Sequence, residues 1–172
     1  MLYTERLRLD PLAPSDAAEF LALFRDPGVR RFLLDDRLVD PDWVAHEIEA
    51  SRRRFAAGSV GLFVARLRGS QGEMVGVAGL RPYHAGELQI LYAVDPAEAG
   101  KGLASEMVGA VLDCCFDLAE MDNVRATIDA PNEGSLKLVE RLGFRCVGQA
   151  PAERYELFVF EIDAATWRQR SR

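Results

Sequence analysis

The chain has 172 residues, of which 49% are hydrophobic and 28% are charged, and its formal net charge is −6. This length suits one core of ordinary size, so we expect a single domain over residues 1–172. The acidic balance argues against broad binding to nucleic acid, which needs a basic face. No run approaches the roughly 18 apolar residues of a membrane span, and no signal pattern opens the chain. We therefore expect a cytoplasmic protein that does not associate with membranes.

The three cysteines match no zinc-ligand spacing and cannot all pair in disulfides. Cys114 and Cys115 are adjacent, and Cys146 lies far along the chain. We therefore expect three core thiols and no metal site.

The first half of the chain predicts one strand, two helices and then three strands. Residues 5–9 alternate as a strand, one helix starts at Pro14, and a second starts near Asp40. The loop over residues 26–40, between the two helices, is the longest in this half. Three strands follow at 60–68, 74–80 and 87–94, and a glycine-containing hairpin connection at 69–72 joins the first two.

The second half predicts a helix, a strand, a helix and two closing strands. Apolar residues at helical spacing start a helix near Gly102. A strand follows at 124–129, a helix opens at Pro131 and ends at Gly143, and strands at 144–148 and 155–162 close the chain. This order predicts an α/β (α+β) fold, in which a mixed sheet carries helices on both faces.

The segment Ala99-Gly100-Lys101-Gly102-Leu103-Ala104 joins a predicted strand to an amphipathic helix. Its glycines leave the backbone accessible, and the N–H groups of a first helical turn have no partner inside the helix. A phosphate binds well at such a turn. A turn without a ligand fits the same pattern, because the spacing matches neither the P-loop nor the dinucleotide fingerprint.

Two motifs resemble those of a known family. Leu91-Tyr92-Ala93-Val94-Asp95-Pro96, followed by the glycine turn, resembles the acyl-CoA motif of the GNAT N-acetyltransferases. Asn132-Glu133-Gly134-Ser135, followed by Leu142-Gly143-Phe144, is similar to that superfamily's second segment. The stretches 4–9 and 155–167 are similar to the (Rim-type) branch that acetylates the N-termini of ribosomal proteins. The resemblance implies a mostly antiparallel central sheet and direct attack of a primary amine on the thioester of acetyl-CoA.

The resemblance also implies which residues bind acetyl-CoA. Backbone N–H groups of the glycine turn would hold the pyrophosphate, and the side chain of Lys101 could add charge; this set is Gly100, Lys101, Gly102, Leu103 and Ala104. The motif strand from Tyr92 to Val94 would lie along the cofactor, with an N–H near Ala93 or Val94 polarising the thioester oxygen. Asn132 would hydrogen-bond the pantetheine arm, and an ordinary helix cap explains this residue too.

Proton removal from the amine has two candidate bases. Family members often carry a carboxylate where this chain has Gln89, which cannot accept a proton. Glu87 lies on the same face of the predicted strand and is the candidate base, directly or through water, although a solvated carboxylate fits it equally well. His84 is the second candidate. Deprotonation at pH 7 costs about 1.4 kcal/mol for an α-amine and roughly 4.6 kcal/mol for a lysine, so an N-terminal substrate needs a weaker base.

The resemblance also implies a residue that donates a proton to the leaving thiolate. Val139 stands where many relatives have the tyrosine proposed for this role. Ser135 matches the serine proposed for it in the ribosomal branch, so the resemblance implies Ser135 here.

The loop over residues 26–40 is the expected amine pocket. Phe32 and Leu33 offer an apolar wall, and Asp35 and Asp36 offer carboxylates for a cationic substrate, although simple solvation also explains the acidity. The amine could belong to a protein or peptide N-terminus, a polyamine or an aminoglycoside. Gln89 and Val139 keep open a second interpretation, an acyl-CoA-binding sensor or regulatory module with little turnover. The resemblance is also compatible with a homodimer.

Overall fold

The computed structural model describes residues 1–69, 72–83, 87–151 and 154–170. The strands found in these ranges form one sheet. They are β1 (Leu2–Tyr3), β2 (Leu7–Pro11), β3 (Leu62–Leu67), β4 (Met74–Pro82), β5 (Leu88–Val94), β6 (Asn123–Asp129), β7 (Arg145–Ala150) and β8 (Leu157–Asp163).

Helices fill most of the connections. They are α1 (Ala17–Arg25), α2 (Pro27–Arg30), α3 (Pro41–Ala56), α4 (Leu103–Asp113), α5 (Glu133–Arg141) and α6 (Ala164–Arg170). Aspartate side chains cap the starts of α2 and α3. The Asp26 carboxylate accepts a hydrogen bond from the backbone N–H of Gly28 at 2.7 Å and starts α2. The Asp40 carboxylate accepts from the N–H of Trp43 at 2.8 Å and starts α3.

The strands lie in the order β1-β2-β3-β4-β5-β6-β8-β7. Neighbouring strands run antiparallel, with the exception of the parallel pair β5 and β6. In the described residues that pair has one register position, Gln89 opposite Arg125. The two strands therefore part beyond this point, and a gap opens in the middle of the sheet. The mostly antiparallel mixed sheet that was expected is confirmed.

A separate apolar core covers each face of the sheet. On one face, α4, α5 and α6 contribute Met107, Val139 and Trp167. On the other face, α1 and α3 contribute Phe24 and Ile48. Residues of β5 alternate between the two cores, because successive side chains of a strand point to opposite faces. The prediction of helices on both faces is confirmed.

Several local expectations differ from the structure. The first predicted strand at 5–9 is displaced to β2, and it pairs with the short strand β1, which was not predicted. Helix α6 was also missed, and it is held partly by a hydrogen bond from the indole N–H of Trp167 to Asp113, which is distant in sequence. The loop 26–40 contains α2 and a tight turn at Leu34–Asp36. The connection at 69–72 is only partly visible, because residues 70 and 71 lie outside the described ranges.

The expectation of three core thiols is wrong for one cysteine. Cys115 is buried and Cys114 is half-buried, but Cys146 is exposed. Cys146 belongs to β7, which is the last strand in the sheet and largely exposed, so its side chain has no second layer to pack under. Among the described residues, no group of His, Cys, Asp and Glu could hold a metal ion. Those same ranges contain no helix long and apolar enough to cross a bilayer.

Candidate active site

A cavity of about 1140 Å³ lies where β5 and β6 part. This volume exceeds the roughly 300–1,000 Å³ of most small-molecule sites. The glycine turn before α4 and the start of α5 line what we call the turn end, including Gly100, Gly102, Asn132 and Ser135. Residues of the 26–40 loop and the ends of β4 and β6 line what we call the loop end, including Phe32, Leu33, Asp35, Tyr83 and Asp129.

The turn end presents free backbone N–H groups. Gly100 and Gly102 have φ angles of 76° and 81°, a left-handed conformation that favours glycine, and α4 begins immediately after them. In the described chain, the N–H groups of residues 100–104 reach no acceptor in a turn, loop or side chain. Gly100, Gly102, Leu103 and Ala104 line the cavity. The geometry of an anion-binding helix start, expected from the sequence, is present.

An arginine from the N-terminal segment braces this turn. Arg6 donates from Nη1 to the carbonyl oxygen of Lys101 at 2.8 Å and from Nε to Glu106 of α4 at 2.7 Å. Thr4 also donates to the Glu106 carboxylate. The segment 4–9 was noticed as a family-like pattern, but its position beside the turn was not predicted, since it lies about 100 residues away in sequence.

The positive charge of Lys101 does not lie at the cavity. Its ammonium forms an ion pair with Glu98 at 2.9 Å, and Lys101 is not among the described residues that line the cavity. The structure therefore does not place the Lys101 side chain at the cavity, and a contact from its backbone N–H stays a prediction.

Asn132 and Ser135 lie together at the start of α5. The side-chain oxygen of Asn132 accepts a hydrogen bond from the Ser135 N–H at 3.2 Å, so Asn132 caps the helix, and both residues line the cavity. Asparagine also has two amide donors, which this cap does not use. The capping role and the expected contact with a ligand are therefore compatible.

Tyr92, Ala93 and Val94 line the cavity between its two ends. The hydroxyl group of Tyr92 is buried, and among the described residues it has no hydrogen-bond partner at normal geometry. Burial raises the pKa of Tyr92 to about 12, and the neighbouring Ser135 hydroxyl offsets part of this rise. Val139 is fully buried in the core.

Three of the four residues expected in the amine pocket line the loop end: Phe32, Leu33 and Asp35. Asp36 does not line the cavity in the described structure. Its carboxylate pairs with Arg154 at 3.0 Å and with Arg30 at 3.6 Å, so it anchors the loop. Leu34, Asp35 and Asp36 have φ angles of 54°, 55° and 61°, which is unusual for three consecutive residues other than glycine. Such strain is frequent at binding sites.

Asp129 was not predicted as a site residue, and it lines the loop end with Tyr83. Burial raises the pKa of Asp129, the charge of Asp35 raises it further, and Arg154 opposes both. Burial and the same two carboxylates also raise the pKa of Tyr83. The charge of Asp35 therefore disfavours the charged form of Asp129, and a bound cation would stabilise it. Asp129 is the last residue of the predicted strand 124–129 and stands three residues before Asn132 of the second motif, and this position was the signal in the sequence that could have identified it.

Neither candidate base is found at the cavity in the described structure. Gln89 lines the cavity and accepts a hydrogen bond from Thr127 at 2.5 Å. Glu87 is not among the described lining residues; it pairs with Arg125, and its side chain is 58% exposed. The structure therefore argues against direct contact between Glu87 and the amine, while a role through water stays a prediction. His84 lies outside the described residues.

Comparison with known proteins identifies the family. Residues 6–145 match the family model for an acetyltransferase (GNAT) domain, so the chain belongs to the GNAT acetyltransferases. Its activity is accordingly the transfer of an acetyl group from acetyl-CoA to an amine nitrogen. Neither the family match nor the relatives named below single out the ribosomal branch.

Individual relatives agree with this assignment. The chain is 26% identical over 149 residues to the uncharacterized N-acetyltransferase p20 of Bacillus licheniformis, a match that covers 86% of this chain and 83% of the relative. A GNAT-family acetyltransferase structure from Bordetella pertussis has a TM-score of 0.80 and 27% identity, covering 93% and 97% of the two chains. A spermidine N-acetyltransferase from Vibrio cholerae, in complex with CoA and spermine, has a TM-score of 0.78, covering 96% and 99%. At 16% identity, this last likeness shows the fold alone.

Proposed function

We propose that the chain acetylates the N-terminal α-amine of a protein or peptide, with acetyl-CoA bound at the turn end and the amine bound at the loop end. One observation carries this proposal. A single cavity, opened by the parting of β5 and β6, joins a helix start with free N–H groups to a region lined by two carboxylates. An anionic cofactor and a cationic substrate fit these opposite ends.

The turn end supplies the contacts for acetyl-CoA, which brings the reactive acetyl thioester. The backbone N–H groups from Gly100 to Ala104 hold the pyrophosphate, including that of Lys101. Asn132 donates to the pantetheine arm, which runs along β5 past Tyr92. The left-handed glycines support this fit, because they hold the turn in a conformation that favours glycine, and a Cβ at Gly102 would lie 3.6 Å from Nη2 of Arg6, which holds the turn.

The loop end supplies the contacts for the amine. Asp35 and Asp129 attract the ammonium group, and Phe32 and Leu33 pack against the carbon atoms beside it. Burial and the charge of Asp35 raise the pKa of Asp129, so the positive charge of an ammonium group placed beside Asp129 would stabilise its carboxylate.

The chemistry is a direct displacement. The neutral amine nitrogen attacks the thioester carbonyl carbon, and a backbone N–H of Ala93 or Val94 donates to the oxygen as it becomes negative. The carbon–sulfur bond then breaks, and the Ser135 hydroxyl donates toward the departing sulfur. The excess proton on nitrogen passes to water in the cavity, because Glu87 is paired with Arg125 outside the described cavity lining. An α-amine needs little assistance, because deprotonation at pH 7 costs only about 1.4 kcal/mol.

A polyamine is the second candidate substrate. The two carboxylates at the loop end favour it, since a molecule with several ammonium groups satisfies both. The related fold that binds CoA and spermine is consistent with this candidate.

The test is release of free CoA thiol from acetyl-CoA in the presence of a panel of amines. The panel contains peptides with varied free N-termini, N-blocked peptides with lysine, polyamines and aminoglycosides. Turnover confined to free N-termini is expected. Turnover confined to polyamines would transfer the proposal to the second candidate. Binding of acetyl-CoA without turnover on any amine would contradict the proposal and favour the sensing module.

A further inference from the structure

The buried hydroxyl group of Tyr92 needs an explanation. A buried polar group usually has a hydrogen-bond partner, because leaving one unpaired is costly. The Tyr92 hydroxyl has none at normal geometry in the described structure, although the rest of its ring packs with the core on the α4 side of the sheet. The hydroxyl is also shielded from solvent, so it cannot contact a molecule in the cavity directly.

Ser135 lies beside this hydroxyl and also lines the cavity. It is half-buried, it lines the cavity, and it is near enough to Tyr92 to affect the pKa of the phenol. A serine side chain has three staggered rotamers, so a rotation about one bond can close a hydrogen bond to Tyr92 without moving the backbone. The Ser135 backbone is already fixed by the cap from Asn132.

We propose that Tyr92 is the positioning residue of Ser135: its hydroxyl donates a hydrogen bond to Ser135 Oγ when acetyl-CoA is bound, and this directs the Ser135 hydroxyl to the departing sulfur. This inference rests on the proposed function. It is also compatible with Val139 in place of a tyrosine, because here the phenol beside Ser135 comes from β5 and not from α5.

The acidity of the phenol fixes its role as a donor. With a pKa raised to about 12, Tyr92 keeps its proton throughout the neutral range. Handing that proton to a thiolate with an ordinary pKa of about 8.5 would be unfavourable on the order of a thousandfold. Tyr92 therefore orients and polarises the serine hydroxyl, and the thiolate leaves as an anion stabilised by that hydrogen bond.

The first test uses Tyr92→Phe, Ser135→Ala and the double variant, on the amine that the wild type acetylates fastest. We expect Tyr92→Phe to lower kcat roughly three- to tenfold, the effect of one hydrogen bond. The Kd for acetyl-CoA should stay within about twofold, and Tm should stay close to that of the wild type, because the hydroxyl that is removed forms no hydrogen bond of normal geometry in the free protein. The double variant should be no slower than Ser135→Ala alone, since the two groups act as one unit.

Tyr3→Phe is the matched control, because Tyr3 is 62% exposed and does not line the cavity. It should match the wild type in kcat, Kd and Tm. A kcat for Tyr92→Phe within about twofold of the wild type would overturn the inference. A double variant whose loss of kcat equals the product of the two single losses would also overturn it. So would a decrease in the Tm of Tyr92→Phe large enough for unfolding to explain its lower kcat.

The second test needs no turnover, so it separates this inference from the proposed function. The thiolate absorbance of bound CoA is followed against pH. Donation from Ser135 should lower the pKa of the bound thiol in the wild type, and Tyr92→Phe and Ser135→Ala should each raise it again. No turnover on any amine, together with this shift, would reject the proposed function alone. A bound thiol with the same pKa in all three proteins would reject the inference, whatever the amine panel shows.

Discussion

The two ends of the cavity are built in different ways. The turn end consists mainly of consecutive residues, and its binding groups are backbone N–H groups held by two left-handed glycines. The loop end brings together side chains from three separate segments, with Asp35, Tyr83 and Asp129 far apart in sequence. The first design is independent of most side chains, whereas the second depends on each of them. Cofactor binding is therefore expected to resist substitution, and amine choice to change easily.

The largest expected effect is on the turn end. Gly102→Val places a β-branched side chain at a φ of 81° with its Cβ beside the Arg6 guanidinium, so the turn should distort. Acetyl-CoA should then bind about ten- to a hundredfold more weakly, which matches the loss of charge-assisted hydrogen bonds. Isothermal titration calorimetry measures this affinity. Gly58→Val is the matched control, because Gly58 has a φ of 76° and lies outside the cavity lining. Equal affinity of Gly102→Val and wild type would remove the cofactor assignment.

The next effect should be confined to the loop end. Asp129→Asn and Asp35→Asn each remove a carboxylate near the amine, and we expect KM for a cationic amine to rise about tenfold with KM for acetyl-CoA unchanged. Asp117→Asn is the control, since this exposed aspartate pairs with Arg168 away from the cavity. An equal rise in both KM values would show that the two ends are not separate.

The pH dependence of amine binding sharpens the same comparison. Because the pKa of Asp129 is raised, its carboxylate loses charge at a higher pH than an ordinary aspartate as the solution is acidified. KM for the amine should therefore rise on acidification before affinity for acetyl-CoA changes, and Asp129→Asn should flatten this dependence. A KM for the amine that stays constant in the wild type down to the pH at which an ordinary aspartate loses its charge would contradict the placement of Asp129 in the amine site.

A smaller effect concerns the brace of the turn end. Burial opposes the charge of Glu106, but hydrogen bonds from Thr4 and Arg6 outweigh it and lower the pKa. A lowered folded-state pKa gives stability that is present above the unfolded pKa and is lost as pH falls through the folded one. Glu106→Gln should lower the free energy of unfolding by about 1–2 kcal/mol at pH 7. Urea denaturation should show this difference shrinking below about pH 4; a difference that persists there would exclude the ionic contribution.

The smallest effect is expected at Glu87. Its carboxylate pairs with Arg125 outside the described cavity lining, so Glu87→Gln should change kcat for an α-amine by less than about twofold. The kcat profile against pH provides the check. A large loss with a missing acidic limb would identify Glu87 as the base acting through water.

The comparison of the two ends also explains what the sequence could predict. The glycine turn and the cap at Asn132 follow from local spacing, so their geometry was accessible before the structure. Asp129 and the brace from Arg6 depend on contacts between distant segments, and no local pattern encodes them. Asp36 and Lys101 had suitable charges, but nearby partners hold their side chains away from the cavity. Charge alone was therefore not enough to tell Asp35, which lines the cavity, from Asp36 and Lys101, because ion pairs with neighbouring residues decide where these side chains lie.

Mass spectrometry of the acetylated product distinguishes an α-amine from a lysine side chain as the acceptor. A peptide with a free N-terminus and an internal lysine is incubated with the protein and acetyl-CoA, and fragmentation locates the acetyl group. We expect acetylation of the α-nitrogen, with the ε-nitrogen unmodified. Acetylation confined to the lysine, or free CoA formed without any acetylated peptide, would contradict this expectation.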